Sequence, residues 1–177
     1  MKTKSLFLAL FLLIGTLCVS AQEKKNITLE DLYQRPTFYA KSVRGMNSMK
    51  DGTTYGNFEK GALNIYNYKT GKLVKTLFEM KDLVLEGADA PVAMQNYELS
   101  DDESKLLVLT DMESIYRHSY TADYYVYDLN TKSLQSLSTN GKQRLATFSP
   151  DATKVAFMRD NNLFIKDLKT GEEAVHL

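Results

Sequence analysis

The sequence predicts an all-β fold, and three observations carry that prediction. Past residue 21 the chain is a succession of short alternating segments rich in Tyr, Phe, Val and Leu. These segments are punctuated by Asp, Asn, Gly, Ser and Thr, and no stretch sustains a helical period. The segments also repeat as a four-stranded meander about every 40 to 50 residues, the pattern of a propeller blade. The expected fold is a partial β-propeller of about three four-stranded antiparallel blades, over approximately 35–80, 92–139 and 143–177, in an incomplete propeller domain 35–177.

Before that domain, Lys2 and Lys4 precede an apolar stretch from Leu6 to Leu13 that runs on through Ile14, Gly15 and Leu17 to Val19-Ser20-Ala21, where polar Gln22 begins. This order reads as a secretory signal peptide over residues 1–21, cleaved near Ala21. Its apolar run, about 12 residues, is shorter than the ~20 needed to span a bilayer. Leu17 before Cys18 is bulky where a lipoprotein signal wants a small residue. The mature protein is expected to be exported, periplasmic or extracellular, and without Cys18 it has no thiol.

Residues 22–34 are expected as an N-terminal helical or linker segment. Thr28 followed by Glu30 and Asp31 looks like a helix start, with Leu29 and Leu32 available for an apolar face.

The clearest repeat runs from Leu145 to Leu177: strand, Ser-Pro-Asp turn, strand, Asp-Asn-Asn turn, strand, Lys-Thr-Gly turn, strand. The same order starts at Tyr97, with Lys105 to Leu109, Tyr124 to Leu129 and Leu134 to Leu137. A weaker copy has Thr53 to Phe58, Ala62 to Tyr68 and Lys72 to Leu77. Asp51, Asp101 and Asp151 fall at equal intervals and are expected in the first turn of each copy. Asp and Asn bond their own backbone in turns, and Gly71 and Gly171 can take positive φ at the last hairpin. Three blades do not close a ring, so the chain is expected to be the front portion of a longer protein.

Composition excludes several functions. With 22 basic and 22 acidic side chains and no basic block, the chain lacks the electrostatic footprint of a nucleic-acid partner. Two histidines and one cysteine make a poor zinc set, so neither metal nor cofactor is expected.

Between the second and third strands of the middle copy, Asp111 to Leu129 is longer than the repeat requires. Its core, Tyr116-Arg-His-Ser-Tyr-Thr-Ala-Asp-Tyr124, with Val126-Tyr-Asp-Leu129, the Phe148-Ser-Pro-Asp151 blade and the opening Ile27-Thr-Leu-Glu-Asp-Leu32, resembles the dipeptidyl peptidase IV family of the prolyl oligopeptidase clan. The resemblance covers nearly all of 27–177, most strongly 97–170 and most loosely 34–96.

That resemblance implies an eight-bladed propeller followed by a C-terminal α/β-hydrolase domain, which is absent from these residues. It implies a serine exopeptidase, a homodimer when full length, that releases X-Pro and X-Ala dipeptides from peptides with penultimate Pro or Ala. It also implies that Arg117 is the substrate-binding residue and points at a substrate backbone carbonyl, a role suited to a guanidinium's fixed donors. No catalytic residue is assigned. No Gly-x-Ser-x-Gly elbow occurs, so His118 has no nucleophile to activate and is read as packing and turn support.

Tyr116 stands where animal relatives have tryptophan, an aromatic exchange expected to keep the packing. Tyr120, Tyr124, Tyr125 and Tyr127 read as strand residues alternating between core and solvent. Glu172-Glu173 invites assignment as the family's clamp for the substrate amino terminus. It follows a Lys-Thr-Gly turn rather than an Asp-Trp-x-Tyr segment, and the assignment is rejected. The alternative reading is a non-catalytic periplasmic propeller that binds a protein partner, which accounts for the Ser-Pro-Asp repeats but not for the Tyr116 to Tyr124 insertion.

Overall fold

The computed structural model describes residues 26–40 and 45–176. The signal-peptide expectation, residues 1–21, lies outside them. The chain divides into two units, 1–42 and 43–177. In the first, helix α1 (Leu29–Tyr33) opens as the sequence predicts. The Thr28 hydroxyl accepts from the Asp31 backbone N–H at 3.2 Å while the Asp31 carboxylate accepts from the Thr28 N–H, a reciprocal cap. Leu29 and Leu32, expected as an apolar face, are exposed.

The second unit is all-β. Its strands are β1 (Asn47–Ser48), β2 (Thr54–Glu59), β3 (Ala62–Asn67), β4 (Leu73–Glu79), β5 (Asn96–Leu99), β6 (Lys105–Tyr116), β7 (Ser119–Asp128), β8 (Ser133–Ser136), β9 (Arg144–Phe148), β10 (Lys154–Arg159), β11 (Asn162–Asp167) and β12 (Glu173–His176). They form three four-stranded sheets, β1–β4, β5–β8 and β9–β12, each antiparallel and in sequence order. These are three propeller blades.

The turns explain why the blades repeat. In blade three, Ser149 both accepts from and donates to Lys154, and Asp151 accepts from the Ser149 hydroxyl at 2.6 Å and the Thr153 N–H at 3.2 Å. Blade two reproduces this with Ser100, Lys105 and Asp102, whose carboxylate takes the Ser100 hydroxyl at 2.7 Å and the Ser104 N–H at 3.1 Å. In blade one Met49 lacks the hydroxyl, and Asp51 binds the Thr53 and Thr54 N–H groups at 2.7 and 2.8 Å instead. The next residue is left-handed each time: Gly52, Glu103 and Ala152.

The equivalent aspartates are therefore Asp51, Asp102 and Asp151. The equal spacing that singled out Asp101 is coincidental: Asp101 instead pairs with Lys50 at 2.9 Å, between blades one and two. The last hairpins match as well. Asn67, Asp128 and Asp167 each accept two backbone N–H groups, and Gly71, Lys132 and Gly171 supply the positive φ.

Two cores fill the spaces between blades. Leu106 and Val108 on β6, with Tyr127 on β7, pack against Leu63, Phe78 and Leu83 of blade one. Their neighbours Leu107 and Leu109, with Tyr124 and Val126, pack against Val155, Phe157 and Phe164 of blade three. A strand sends alternate side chains to opposite faces, so an unbroken Leu106–Leu109 run marks a sheet buried on both sides. For the same reason the expected core-and-solvent alternation of the tyrosines fails. Tyr124 and Tyr127 are both buried, one in each inter-blade core, and Tyr120 and Tyr125 are half-buried.

Candidate functional site

The middle blade carries the feature that the other two lack. Its β6 has 12 residues and β7 has 10, where β2, β3, β10 and β11 have six each. The segment expected as an insertion longer than the repeat requires is thus an extension of the two central strands into a long hairpin arm. Beyond Thr110↔Asp123 the register shifts, Glu113 pairs with Thr121 and Ser114 with Tyr120, and the arm ends at Tyr116↔Ser119. The two residues between that last pair are Arg117 and His118.

Arg117 stands exposed at the tip and has no hydrogen bond or ion pair among the described residues. His118 beside it is also exposed, which gives it a turn position but no packing role. Tyr116 is 80% exposed, so the packing expected of this aromatic is not made within these residues. The arm therefore presents a cation and an aromatic ring to the surroundings and buries neither.

What holds the arm lies at its root. A bulge follows Thr110, where Asp111 adopts φ 46°, and a bulge bends the strand that carries it. In an antiparallel meander the β6–β7 turn and the β8–β9 linker share one end of the blade, so the linker's Lys142 can reach the bulge. Its ammonium donates to the Asp111 carbonyl at 2.6 Å and lies 2.7 Å from the Asp111 and Glu113 carboxylates. These hydrogen bonds, the one to Asp111 foremost, push the Lys142 pKa up. The Gln95 side chain accepts from the Met112 N–H at 2.7 Å. Gln143, fully buried, exchanges two backbone hydrogen bonds with Ala122 and accepts from the Tyr124 N–H through its side chain at 3.1 Å.

Sequence reasoning missed this brace. Lys142 and Gln143 sit in a short polar linker that reads as a turn, and Gln95 carries no motif. The one available signal is Asp111, the first charged residue after the apolar run of β6.

The rejected acidic pair is explained by its partners. Glu173 on β12 lies 2.6 Å from the Arg159 guanidinium and accepts from Ser138 at 2.9 Å. Arg159 is buried, with its guanidinium carbon 4.0 Å from the centre of the Phe164 ring. Glu173 thus closes a polar bridge between blades two and three and is not presented to a ligand. Among the described residues no three His, Cys, Asp or Glu side chains converge as a metal site requires.

Comparison with known proteins places this architecture. A family model described as "Dipeptidyl peptidase IV (DPP IV) N-terminal region" matches residues 100–177, the stretch holding the arm and blade three. The chain is 32% identical over 154 residues to a probable dipeptidyl-aminopeptidase B of Tuber melanosporum, covering 81% of this chain and 17% of that relative. A protein of the same description from Arthroderma gypseum is 38% identical over 97 residues, 53% of this chain and 11% of the relative. Among solved structures, dipeptidyl peptidase 4 of Porphyromonas gingivalis superposes with a TM-score of 0.66 at 41% identity, covering 85% of this chain and 22% of that one. The chain spans less than a quarter of the length of each of these three proteins.

Proposed function

This chain belongs to the dipeptidyl peptidase IV family as a segment of its N-terminal region, and from that premise we propose that it is the propeller portion of an exported serine exopeptidase that releases X-Pro and X-Ala dipeptides. The nucleophile, its base and the orienting carboxylate belong to a hydrolase domain beyond these residues. The propeller's part is to admit the peptide and hold it, and Arg117 is the group that binds.

The observation that carries the reading is the position of Arg117 at the tip of an arm the blade does not need for its own core. A guanidinium with no partner among the described residues keeps its donors available. Directed at a substrate backbone carbonyl, it recognises the peptide irrespective of the side chain at that residue, as an enzyme that reads the position of proline rather than the identity of its neighbour requires. One such charge-assisted hydrogen bond is worth ~1.5 to 3 kcal/mol. The residue 1–21 segment directs export, with the mature protein starting at Gln22.

The test is hydrolysis of a Gly-Pro chromogenic substrate by the full-length protein. Cleavage that a serine-directed fluorophosphonate abolishes supports the reading, and a full-length protein that binds peptides without cleaving them overturns it.

A further inference from the structure

A groove runs between the first strands of blades two and three, and three of its features bear on what it could hold. The first is Leu145 on β9. Its φ is 54°, the left-handed region that a bulky L-residue avoids, and its side chain is 68% exposed while the adjacent Ala146 is buried. Leu145 lies in the bulge where β9 shifts register against β10 between Ala156 and Met158, and the bulge leaves its side chain in the groove rather than in the core.

The second is Glu98 on β5, which lines the same groove. Its carboxylate has no hydrogen bond or ion pair among the described residues, and no lysine or arginine lies in ion-pair range. Its side chain is exposed to the groove, and the desolvation by its surroundings that raises its pKa is not offset by any cation among the described residues. The third is the wall made by half-buried Tyr120 and buried Tyr124. Among the described residues that line the groove, Glu98 is the one charged side chain.

We propose that this groove is a subsite for a cationic side chain of the bound peptide, a lysine or arginine whose aliphatic stem lies on Leu145 and whose head meets the Glu98 carboxylate. The proposal rests on the peptidase reading for the identity of the ligand as a peptide. The placement fits, because Asn96 pairs with Leu109 where β6 leaves the blade to become the arm. The groove thus opens at the root of the hairpin whose tip holds Arg117, and a peptide engaged by Arg117 has it within the same end of the propeller. Charge selects the occupant: an apolar side chain would cover Leu145 but leave the carboxylate unpaired, and an acidic one would be repelled.

The experiment uses the full-length protein and hexapeptides beginning Gly-Pro, with a single lysine moved from the third to the sixth position and a matching series with norleucine, which keeps the stem and removes the charge. At one position lysine raises kcat/KM over norleucine by about 3- to 10-fold, and Glu98→Gln abolishes that ratio. Leu145→Asn, a residue that tolerates the left-handed backbone, lowers the ratio and leaves the melting temperature unchanged or raised.

Equal values for the two series at every position overturn the proposal, as does a ratio that survives Glu98→Gln. A clear fall in the Leu145→Asn melting temperature would instead make Leu145 a packing residue and overturn its role. Calorimetric binding of the same peptides reads the groove without cleavage, so a protein that binds lysine peptides through Glu98 yet never cleaves Gly-Pro keeps the groove and loses the peptidase.

Discussion

The Lys142 ammonium lies 2.7 Å from the Asp111 carboxylate, joining the linker before blade three to the bulge at the root of the blade-two arm. The contact fixes the arm where its strand is bent, and so sets where Arg117 is held some residues beyond. Lys142→Met is expected to raise KM by about 3- to 10-fold with a much smaller change in kcat, because binding geometry loosens while the chemistry lies elsewhere. Lys142→Arg restores most of the loss. The raised pKa of Lys142 means that from neutral pH up to about 10.5 the lysine stays charged and the tie holds, and it is lost as pH rises through the folded value. A KM that is flat from neutral pH to 10 and then climbs checks this, and equal falls in kcat and kcat/KM for Lys142→Met would contradict it.

The turn aspartates predict a contrast between two adjacent residues. Hydrogen bonds from Ser100 and Ser104 hold the Asp102 carboxyl down at about 2. A depressed carboxyl stabilises the fold fully above its unfolded value, near 3.8, and that contribution disappears as pH falls through about 2. Asp102→Ala is expected to lower the melting temperature by a few degrees at pH 7, with the gap to the parent closing as the pH approaches 2. Asp101→Ala removes only an exposed ion pair to Lys50 and should be nearly silent. Thermal melts of both variants across pH decide which aspartate the turn uses.

Arg159 and Glu173 form the most buried ion pair described, with side chains 9% and 19% exposed. Removing one partner strands the other, so Arg159→Ala is expected to destabilise by about 3 to 5 kcal/mol. The double replacement Arg159→Met with Glu173→Met should recover much of that, since well-packed apolar groups substitute for a buried pair at little cost. Denaturant melts of the single and double variants measure the coupling, and additive losses would show that the pair does not act as a unit.

Much of the fold was legible because its chemistry is local. A Ser-x-Asp turn closes on its own backbone, and an Asn or Asp followed by Lys-Thr-Gly does the same, so both can be read from a few adjacent residues. Spacing alone put Asp101 in the first turn, where it lies, but did not show that Asp102 is the aspartate the turn uses, because one residue of drift in the repeat is invisible without the hydroxyl partners. The arm was visible as surplus length but not as a hairpin, since nothing in Ser114-Ile115-Tyr116 distinguishes a strand extension from a loop. Its brace was not legible: Lys142 meets Asp111 only because the meander returns the linker to the same end of the blade. The groove is hidden likewise, as neither Glu98 nor Leu145 is unusual until the backbone of one and the isolation of the other are seen.

The most direct measurement is steady-state hydrolysis of a Gly-Pro chromogenic substrate by the full-length protein carrying Arg117→Ala, beside a thermal melt. Losing one charge-assisted hydrogen bond to the substrate carbonyl should lower kcat/KM by roughly 10- to 150-fold, from the ~1.5 to 3 kcal/mol such a bond contributes, with an unchanged melting temperature because the arm's tip is exposed among the described residues. Arg117→Lys should recover only part, since a point charge lacks the planar fork. An unchanged kcat/KM together with an unchanged melt would contradict the assignment and reduce Arg117 to an ordinary surface residue.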